Sequence, residues 1–153
     1  MDTVVTLLDH MAFRAVSDSG HEVRIDTGPD SGGEDSAARP MELVAMALGS
    51  CTGMDVISIL RKKRQEVTGF EVRLHLERAE AQPKIFNSAL IEYSVSGRGL
   101  DEAAVMRAIQ LSVEKYCPVH AMLSRVFPME LCYRIQDEAG NLIKQGACEP
   151  EFV

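Results

Sequence analysis

The chain has 153 residues, of which 46% are hydrophobic and 25% charged, a balance typical of one globular domain with a real apolar core. Its formal net charge of −7 disfavours contact with phosphate backbones and anionic lipids. We therefore expect residues 1–153 to form a single domain that has neither a nucleic-acid partner nor a membrane partner.

The sequence also predicts a cytoplasmic location. No segment reaches the roughly 20 consecutive apolar residues that span a bilayer. The N-terminus, Met1 to Val5, lacks the basic region that begins a signal peptide. In a reducing compartment, the four cysteines are expected to be free or catalytic rather than joined in a disulfide framework.

The first predicted element is a β-hairpin. Two β-like runs, residues 10–17 and 21–27, are separated by the turn sequence Asp18-Ser19-Gly20. Residues 4–7 are expected to add a short strand before them.

A long helix is predicted after the hairpin. Residues 28–39 are polar and Gly-rich and are expected to form a mobile loop. The helix should begin at Pro40, since proline is favoured at the first helical position and Glu42 suits the positive end of the helix dipole. Residues 41–60 are apolar on nearly all sides, which predicts a buried central helix with Cys51 in its middle.

Alternating polar and apolar residues then predict two half-solvated antiparallel strands, residues 68–80 and 87–96. A second helix is expected over residues 101–116, with Asp101 as its N-cap. It should end near Cys117, because the residue before a proline is disfavoured in the α region.

The end of the chain predicts a short helix, a strand and a tail. Pro118 can open a helix that runs to about Ser124. A last strand is expected over residues 128–136, and residues 142–153 are expected to be a loosely held tail. This order of elements predicts an α+β fold of antiparallel sheets packed around a Cys-bearing helix and a second helix.

Cys117 is the first candidate for thiol chemistry. As the N-cap of the helix that starts at Pro118, its sulfur would face free backbone N–H groups, which lower the pKa of a thiol. His120 lies three residues on and could reach back to it. A buried structural cysteine at a helix junction explains the same residues equally well.

Cys51 is the second candidate, although its local sequence favours an inert thiol. Burial in an apolar helix raises the pKa of a thiol, and Asp55, one turn later, would raise it further. Activation of Cys51 therefore needs a cation from elsewhere in the fold, and Arg14 and Arg39 are the candidates.

The remaining cysteines are interpreted as non-catalytic. Cys132 lies on the last strand without an obvious partner, and Cys148 lies in the tail, where it could be exposed. A single C-x-x-H, from Cys117 to His120, is a weak zinc signal, so we expect neither a metal nor a cofactor.

Two stretches of this chain resemble motifs of the OsmC/Ohr family. Pro40 to Val56, which reads PMELVAMALGSCTGMDV, looks like the central helix of that family. Tyr116 to Leu123, YCPVHAML, looks like its second cysteine motif. The Cys-Thr-Gly-Met-Asp variant is most similar to the YhfA-like branch, and the resemblance covers about residues 10–136.

The resemblance implies an intertwined homodimer that reduces organic hydroperoxides, with active sites at the subunit interface and an external dithiol as reductant. It assigns Cys51 as the peroxidatic thiol and Cys117 as the resolving thiol. Glu42 matches the family's glutamate, and Arg14 is the best match to its arginine. The methionines Met46, Met54 and Met122 are expected to line a pocket that favours organic peroxides over hydrogen peroxide.

The helix geometry suggests how Glu42 would act. At about 100° per residue, the nine positions between Glu42 and Cys51 place them on opposite faces of the helix. Glu42 is therefore expected to serve the cysteine of the partner subunit rather than its own.

Two other functions fit the same residues. The chain could be a binding module that takes a small apolar or thiol-containing ligand without turnover. It could also be a purely structural dimer with buried, inert cysteines. Thiol-dependent peroxide consumption separates both of these from a peroxidase.

Overall fold

A computed structural model describes residues 1–148, which divide into two compact units. The first unit is Met1–Met46 and the second starts at Ala47, so the boundary lies within the first helix. That residues 1–153 act as a single domain stays a prediction.

The first unit is built on a three-stranded antiparallel sheet of order β1-β2-β3. Its strands are β1 (Thr3–Leu7), β2 (Phe13–Ser17) and β3 (Glu22–Ile25), which confirms the predicted hairpin and its preceding strand. Gly20 closes the turn with a φ of 82°, a left-handed conformation that favours glycine.

Asp26 organises the loop that follows the sheet. Its side chain is 2% exposed and accepts hydrogen bonds from three backbone N–H groups and from the Ser36 hydroxyl. These bonds hold the pKa of Asp26 well below its usual range. The segment includes a 3₁₀ turn, Pro29–Ser31. The mobility of residues 28–39 stays a prediction.

The long helix α1 (Pro40–Lys62) begins at the predicted proline. Its buried residues form one face: Leu48, Gly49, Thr52, Gly53, Val56 and Leu60. Met54, on the opposite side, is 70% exposed. The prediction of a helix buried on nearly all sides is therefore wrong for the single chain, because only one face packs on the core of the second unit.

Helix α1 also corrects the expectation about membrane spans. Among the described residues it is the one helix long and apolar enough to cross a bilayer, with 23 residues. The sequence reasoning missed it because polar residues such as Ser50 and Asp55 interrupt the apolar run. A core helix of a water-soluble fold meets the same criterion, so this finding alone assigns no membrane role.

The second unit contains a four-stranded sheet of order β4-β5-β6-β7. Its strands are β4 (Glu66–Arg78), β5 (Phe86–Arg98), β6 (Met129–Gln136) and β7 (Leu142–Ala147). The β5–β6 pair is parallel, which departs from the all-antiparallel expectation, while the other two pairs are antiparallel. A parallel pair requires a long crossover connection, and the helices between β5 and β6 supply it.

The crossover consists of α2 (Glu102–Leu111), a π-helical turn (Ser112–Tyr116) and α3 (Pro118–Leu123). Asp101 caps α2 by accepting a hydrogen bond from the Ala103 backbone N–H at 3.2 Å, as predicted. The predicted helix over residues 101–116 is right in extent, but its last turn is wider than an α-helix.

Strand β7 occupies part of the segment expected to be a loose tail. It pairs with β6, and the Lys144 Nζ lies 2.6 Å from the Glu102 carboxylate. Its alternation of apolar and polar residues is too short to signal a strand. The remainder of the predicted tail, residues 149–153, lies outside the described residues.

The core of the second unit lies between one face of α1 and α2 and the inner face of β5 and β6. Its fully buried side chains include Leu48, Val56, Leu60, Ile91, Tyr93, Val95, Val105 and Ile109. Cys51 lies on α1 at the edge of this core, and the crossover brings Cys117 to the same place.

Candidate active site

The structure brings Cys51 and Cys117 together. The Cys51 side chain lies close enough to Cys117 to act on its thiol, and both cysteines are free thiols. Cys51 is half-buried, whereas Cys117 is 2% exposed. The second unit therefore contains two neighbouring thiols, one of which is partly open to solvent.

Cys117 is the N-cap of α3, as the sequence predicts. Its Sγ accepts a hydrogen bond from the His120 backbone N–H at 3.3 Å. Burial, followed by the hydrogen bond and the charge of Cys51, nevertheless raises the pKa of the Cys117 thiol well above its usual range. The expectation of an acidic Cys117 is therefore wrong, because burial outweighs the N–H groups of a six-residue helix.

The His120 ring does not supply a cation to the thiols. It is 5% exposed, and burial lowers its pKa, which favours the neutral ring at physiological pH. The ring bonds the Val113 backbone carbonyl, while its Nδ1 has no protein partner. Only the backbone N–H of His120 reaches back to Cys117.

The glycines beside Cys51 let β4 approach α1 closely. A Cβ atom on Gly49 would lie 2.5 Å from the Leu74 Cδ1, and one on Gly53 would lie 3.2 Å from the Val72 Cγ2. Within the second unit, the space is filled by side chains of β4.

A chain of buried hydroxyl groups lies next to the thiols. The Thr52 Oγ1 is 2.7 Å from the Tyr93 hydroxyl and 2.9 Å from the Ser112 Oγ. The Ser112 hydroxyl in turn donates to the Asp55 Oδ2 at 3.1 Å. Sequence reasoning missed this network, although Thr52 and Ser112 are polar residues on otherwise apolar helix faces, which is a usable signal.

Tyr93 is the innermost member of this network. Its side chain is fully buried, and burial raises its pKa far above the usual range, with smaller effects from Cys117 and Asp55. The phenol is therefore a hydrogen-bond donor at physiological pH.

A cleft of about 290 Å³ opens at the outer end of the network. It is lined by Asp55, Ser58, Ile59, Lys62, Leu111 and Tyr116. Neither cysteine lines this cleft, although Asp55 lies one helical turn after Cys51 and Tyr116 directly precedes Cys117. None of the methionines expected to line a pocket contributes to it; in the single chain Met46, Met54 and Met122 are 55%, 70% and 62% exposed.

Glu42 has a local role in the first unit. Its Oε2 accepts a hydrogen bond from the Arg39 backbone N–H at 2.9 Å, which satisfies a free donor at the start of α1. The Arg39 guanidinium bonds Asp35 at 3.2 Å.

Arg14 lies on β2 of the same unit. Its guanidinium lies 3.4 Å from the Glu22 carboxylate, and its side chain is 51% exposed. The two cysteines belong to the second unit, so the role of Arg14, Arg39 or Glu42 beside Cys51 stays a prediction.

Cys132 and Cys148 lie apart from this pair. Cys132 is half-buried on β6, and burial raises the pKa of its thiol. Cys148 is 1% exposed and its Sγ lies 3.7 Å from the Met106 carbonyl oxygen, so the expected exposure of Cys148 is wrong. Among residues 1–148, no three His, Cys, Asp or Glu side chains are grouped as metal ligands would be.

Comparisons with known proteins agree with this architecture. The model of the OsmC-like protein family matches residues 33–131, which contain both cysteines of the pair. Protein YhfA of Escherichia coli K12 is 42% identical over 135 residues, which cover 88% of this chain and 98% of YhfA.

Solved structures share the same fold. A hypothetical protein from Aquifex aeolicus is 34% identical, with a TM-score of 0.79 over 90% of this chain and 96% of its own. An organic hydroperoxide resistance protein from Legionella pneumophila is 13% identical, with a TM-score of 0.61 over 90% and 97% of the two chains. The fold, the paired cysteines and the match over most of the sequence show that this chain belongs to the OsmC/Ohr family.

Proposed function

We propose that this protein is a thiol-dependent peroxidase that reduces organic hydroperoxides through Cys51 and Cys117. The proximity of the two thiols carries this proposal, because a resolving thiol must reach the oxidised sulfur. Family membership supports it, since some proteins of the same fold are named for organic hydroperoxide resistance.

The difference between the two thiols supports their assignment. Cys117 is buried and its raised pKa keeps it protonated at neutral pH, so it is a poor first nucleophile. Cys51 is more open to solvent and is the thiol that a peroxide can reach. We therefore assign Cys51 as the attacking thiol and Cys117 as the resolving thiol.

The reaction then proceeds in three balanced steps. The Cys51 thiolate attacks the peroxide, the O–O bond breaks, and an alcohol leaves once its oxygen takes a proton, which makes Cys51 a sulfenic acid. The Cys117 sulfur attacks the Cys51 sulfur, and the S–O bond breaks with release of water. An external dithiol reduces the disulfide by exchange and leaves as its own disulfide.

We further propose that the protein acts as a cytoplasmic homodimer. Apolar side chains stay exposed in the single chain, such as Met54 and Val126 in the second unit and Val4 and Val5 in the first. Exposed apolar side chains of this kind become buried when two subunits associate. In such a dimer, Arg14 or Arg39 would be available to stabilise the thiolate of Cys51 on the partner subunit, and Glu42 would pair with that arginine and hold it in place.

Peroxide consumption with a dithiol present tests the peroxidase proposal. We expect steady consumption of an organic hydroperoxide, faster than that of hydrogen peroxide, and a loss on the order of 100-fold or more in Cys51→Ser. Cys117→Ser should consume one equivalent and stop, while Cys132→Ser, a change away from the pair, should turn over normally. Unchanged turnover in Cys51→Ser would refute the assignment.

Glu42 permits a sharper test of the dimer site. A glutamine at position 42 keeps the oxygen that accepts the Arg39 N–H bond but removes the charge that would pair with an arginine. We expect Glu42→Gln to lower peroxidase activity by about tenfold while changing the free energy of unfolding by less than about 0.5 kcal/mol. Full activity in this variant would leave Glu42 with its capping role alone.

A second candidate function is a binding module without turnover. The raised pKa of Cys117, with Asp55 adding to the effects of burial and Cys51, is the observation that favours it. A module of this kind would bind a small apolar or thiol-containing molecule yet show no dithiol-dependent peroxide consumption.

A further inference from the structure

The proposed reaction leaves the hydroxyl network beside the thiols without a role. Thr52, Tyr93 and Ser112 are each 0% exposed, and their hydroxyl groups form an unbroken series that ends at Asp55. Buried polar groups are costly unless each donor and acceptor is satisfied. A network of this kind inside an apolar core therefore calls for an explanation.

The carboxylate of Asp55 fixes the direction of every hydrogen bond in the series. An ionised carboxylate only accepts, so the single Ser112 proton goes to Asp55. The Ser112 oxygen must then accept a hydrogen bond from the Thr52 hydroxyl, so the Thr52 proton is no longer free for another bond. Tyr93 is left to donate to Thr52.

Without the Asp55 carboxylate as acceptor, the directions of these hydrogen bonds would no longer be fixed. The Ser112 hydroxyl has a second acceptor within reach, the Thr52 backbone carbonyl at 3.4 Å. It could turn to this oxygen or to the Thr52 hydroxyl, and the network would then populate several arrangements. Asp55 thus selects one arrangement of three hydroxyl groups.

The same network joins the two segments that carry the cysteines. Thr52 directly follows Cys51 on α1. Ser112 begins the π-helical turn, and its backbone carbonyl accepts the Cys117 N–H at 2.8 Å. The Thr52–Ser112 hydrogen bond therefore connects the backbone next to one thiol to the backbone that holds the other.

We propose that Asp55 is a positioning residue for disulfide formation: by ordering Ser112 and Thr52, it holds the Cys117 segment in register with Cys51. This inference rests on the proposed redox pair but concerns its second step alone. In that step the S–S bond forms, the S–O bond of the sulfenic acid breaks, and the Cys117 proton leaves with the hydroxide as water. Asp55 touches neither sulfur in this role and acts through Ser112.

The test separates oxidation of Cys51 from closure of the disulfide. Reduced protein is mixed with one equivalent of an organic hydroperoxide, the sulfenic acid is trapped with a cyclic 1,3-diketone, and the disulfide is quantified by mass spectrometry. In Asp55→Ala, we expect sulfenic acid formation within about threefold of the unmodified chain. Closure should be slower by about tenfold or more, because misplacement of reacting groups is costly.

Two matched variants show whether the hydrogen bond is responsible. Asp55→Asn keeps an oxygen that accepts from Ser112, so closure should stay within about threefold of the unmodified rate. Glu80→Ala removes an exposed carboxylate from the loop after β4 and should change neither step.

Two results would overturn the inference: closure in Asp55→Ala at the unmodified rate, or an equal loss in both steps, which indicates general damage to the fold. If Asp55→Ala does not fold, Ser112→Ala replaces it and must show the same split between the two steps. Unimpaired closure in that variant would equally refute the role.

A second oxidant keeps this inference separate from the peroxidase proposal. An azodicarboxamide adds to one thiol, and the second thiol displaces a hydrazine to form the disulfide, so no peroxide is needed. If the unmodified protein ignores hydroperoxides, the peroxidase proposal fails, but closure by this route should still slow about tenfold in Asp55→Ala. Equal rates of disulfide closure in Asp55→Ala and in the unmodified protein by this route would refute the positioning role, whatever the outcome for the peroxidase proposal.

Discussion

Two carboxylates of the second unit, Glu102 and Asp55, each end a hydrogen-bond network that contains a tyrosine, but their surroundings differ. Glu102 accepts hydrogen bonds from the Tyr133 hydroxyl and from Lys144, each at 2.6 Å. Asp55 accepts from the Ser112 hydroxyl, and the ion pairs formed within residues 1–148 do not include it. Glu102 therefore has a cation in contact, whereas the hydrogen bond that Asp55 accepts comes from a neutral hydroxyl group.

The two tyrosines show the consequence of that difference. The pKa of Tyr133 rises to about 12 chiefly because its hydroxyl donates to Glu102. The pKa of Tyr93 also rises, but burial is the main cause. The Glu102 network contains an ion pair that joins β7 to α2. The Asp55 network is a series of buried hydroxyl groups beside the thiols of Cys51 and Cys117. Under the positioning role proposed for Asp55, networks of similar composition serve a structural purpose in one place and a functional one in the other.

Removal of each tyrosine hydroxyl should give the largest contrast in stability. Tyr93→Phe leaves the buried Thr52 oxygen without its donor, which we expect to cost about 1–3 kcal/mol in the free energy of unfolding. Tyr133→Phe leaves Glu102 with Lys144 and with solvent, so the expected cost is about 0.5–1 kcal/mol. Urea denaturation of both variants at neutral pH measures the two losses.

Equal losses in the two phenylalanine variants would contradict this contrast. The m-value serves as the control, since a changed slope indicates an altered native or denatured state rather than a lost hydrogen bond.

Much of the fold follows from local patterns in the sequence. Pro40 marks the start of α1, Asp101 caps α2, and the residue before Pro118 ends the crossover helix, because each residue acts on its own backbone. Strand β7 was missed because it is short and is held by β6 and by Lys144, contacts that the local sequence does not encode.

The candidate site could be predicted only in part. Motif resemblance identified Cys51 and Cys117, and their proximity depends on a crossover that no local rule describes. The sequence predicts an acidic Cys117 wrongly, because a helix N-terminus is visible in the sequence but the burial of the thiol is not. The sequence indicates Asp55 only as a charge near Cys51, since its partner Ser112 lies far along the chain.

The dependence of stability on alkaline pH should distinguish the Glu102 network from the Asp55 network. A group whose pKa is raised on folding contributes stability below its unfolded pKa and loses it as the pH rises through the folded value. For Tyr133 that loss falls between about pH 10, the unfolded value, and about pH 12. We therefore expect the free energy of unfolding to fall with pH over this range, with a shallower slope in Tyr133→Phe.

The slope in Tyr133→Phe should not vanish, because other groups titrate in the same direction. The pKa values of Cys117 and Tyr93 are raised mainly by burial, and that of Lys144 by its bond to Glu102. A slope in Tyr133→Phe equal to that of the unmodified chain would show that Glu102 does not hold the phenol proton.

Removal of the Lys144 ammonium group should have the smallest effect on stability. Lys144 is 56% exposed, and an exposed ion pair contributes about 0.2–1 kcal/mol, so Lys144→Ala should lower the free energy of unfolding by no more than that. Salt screens such a pair, and the loss should shrink when the ionic strength is raised from about 0.05 M to about 0.5 M. Lys84→Ala, in the loop between β4 and β5, is the control for loss of one charge. A larger loss of unfolding free energy in Lys144→Ala that does not depend on salt would contradict this expectation. Packing of the Lys144 side chain, rather than its charge, would then hold β7 to α2. Glu102 would in that case resemble Asp55, which has no ion-pair partner among residues 1–148.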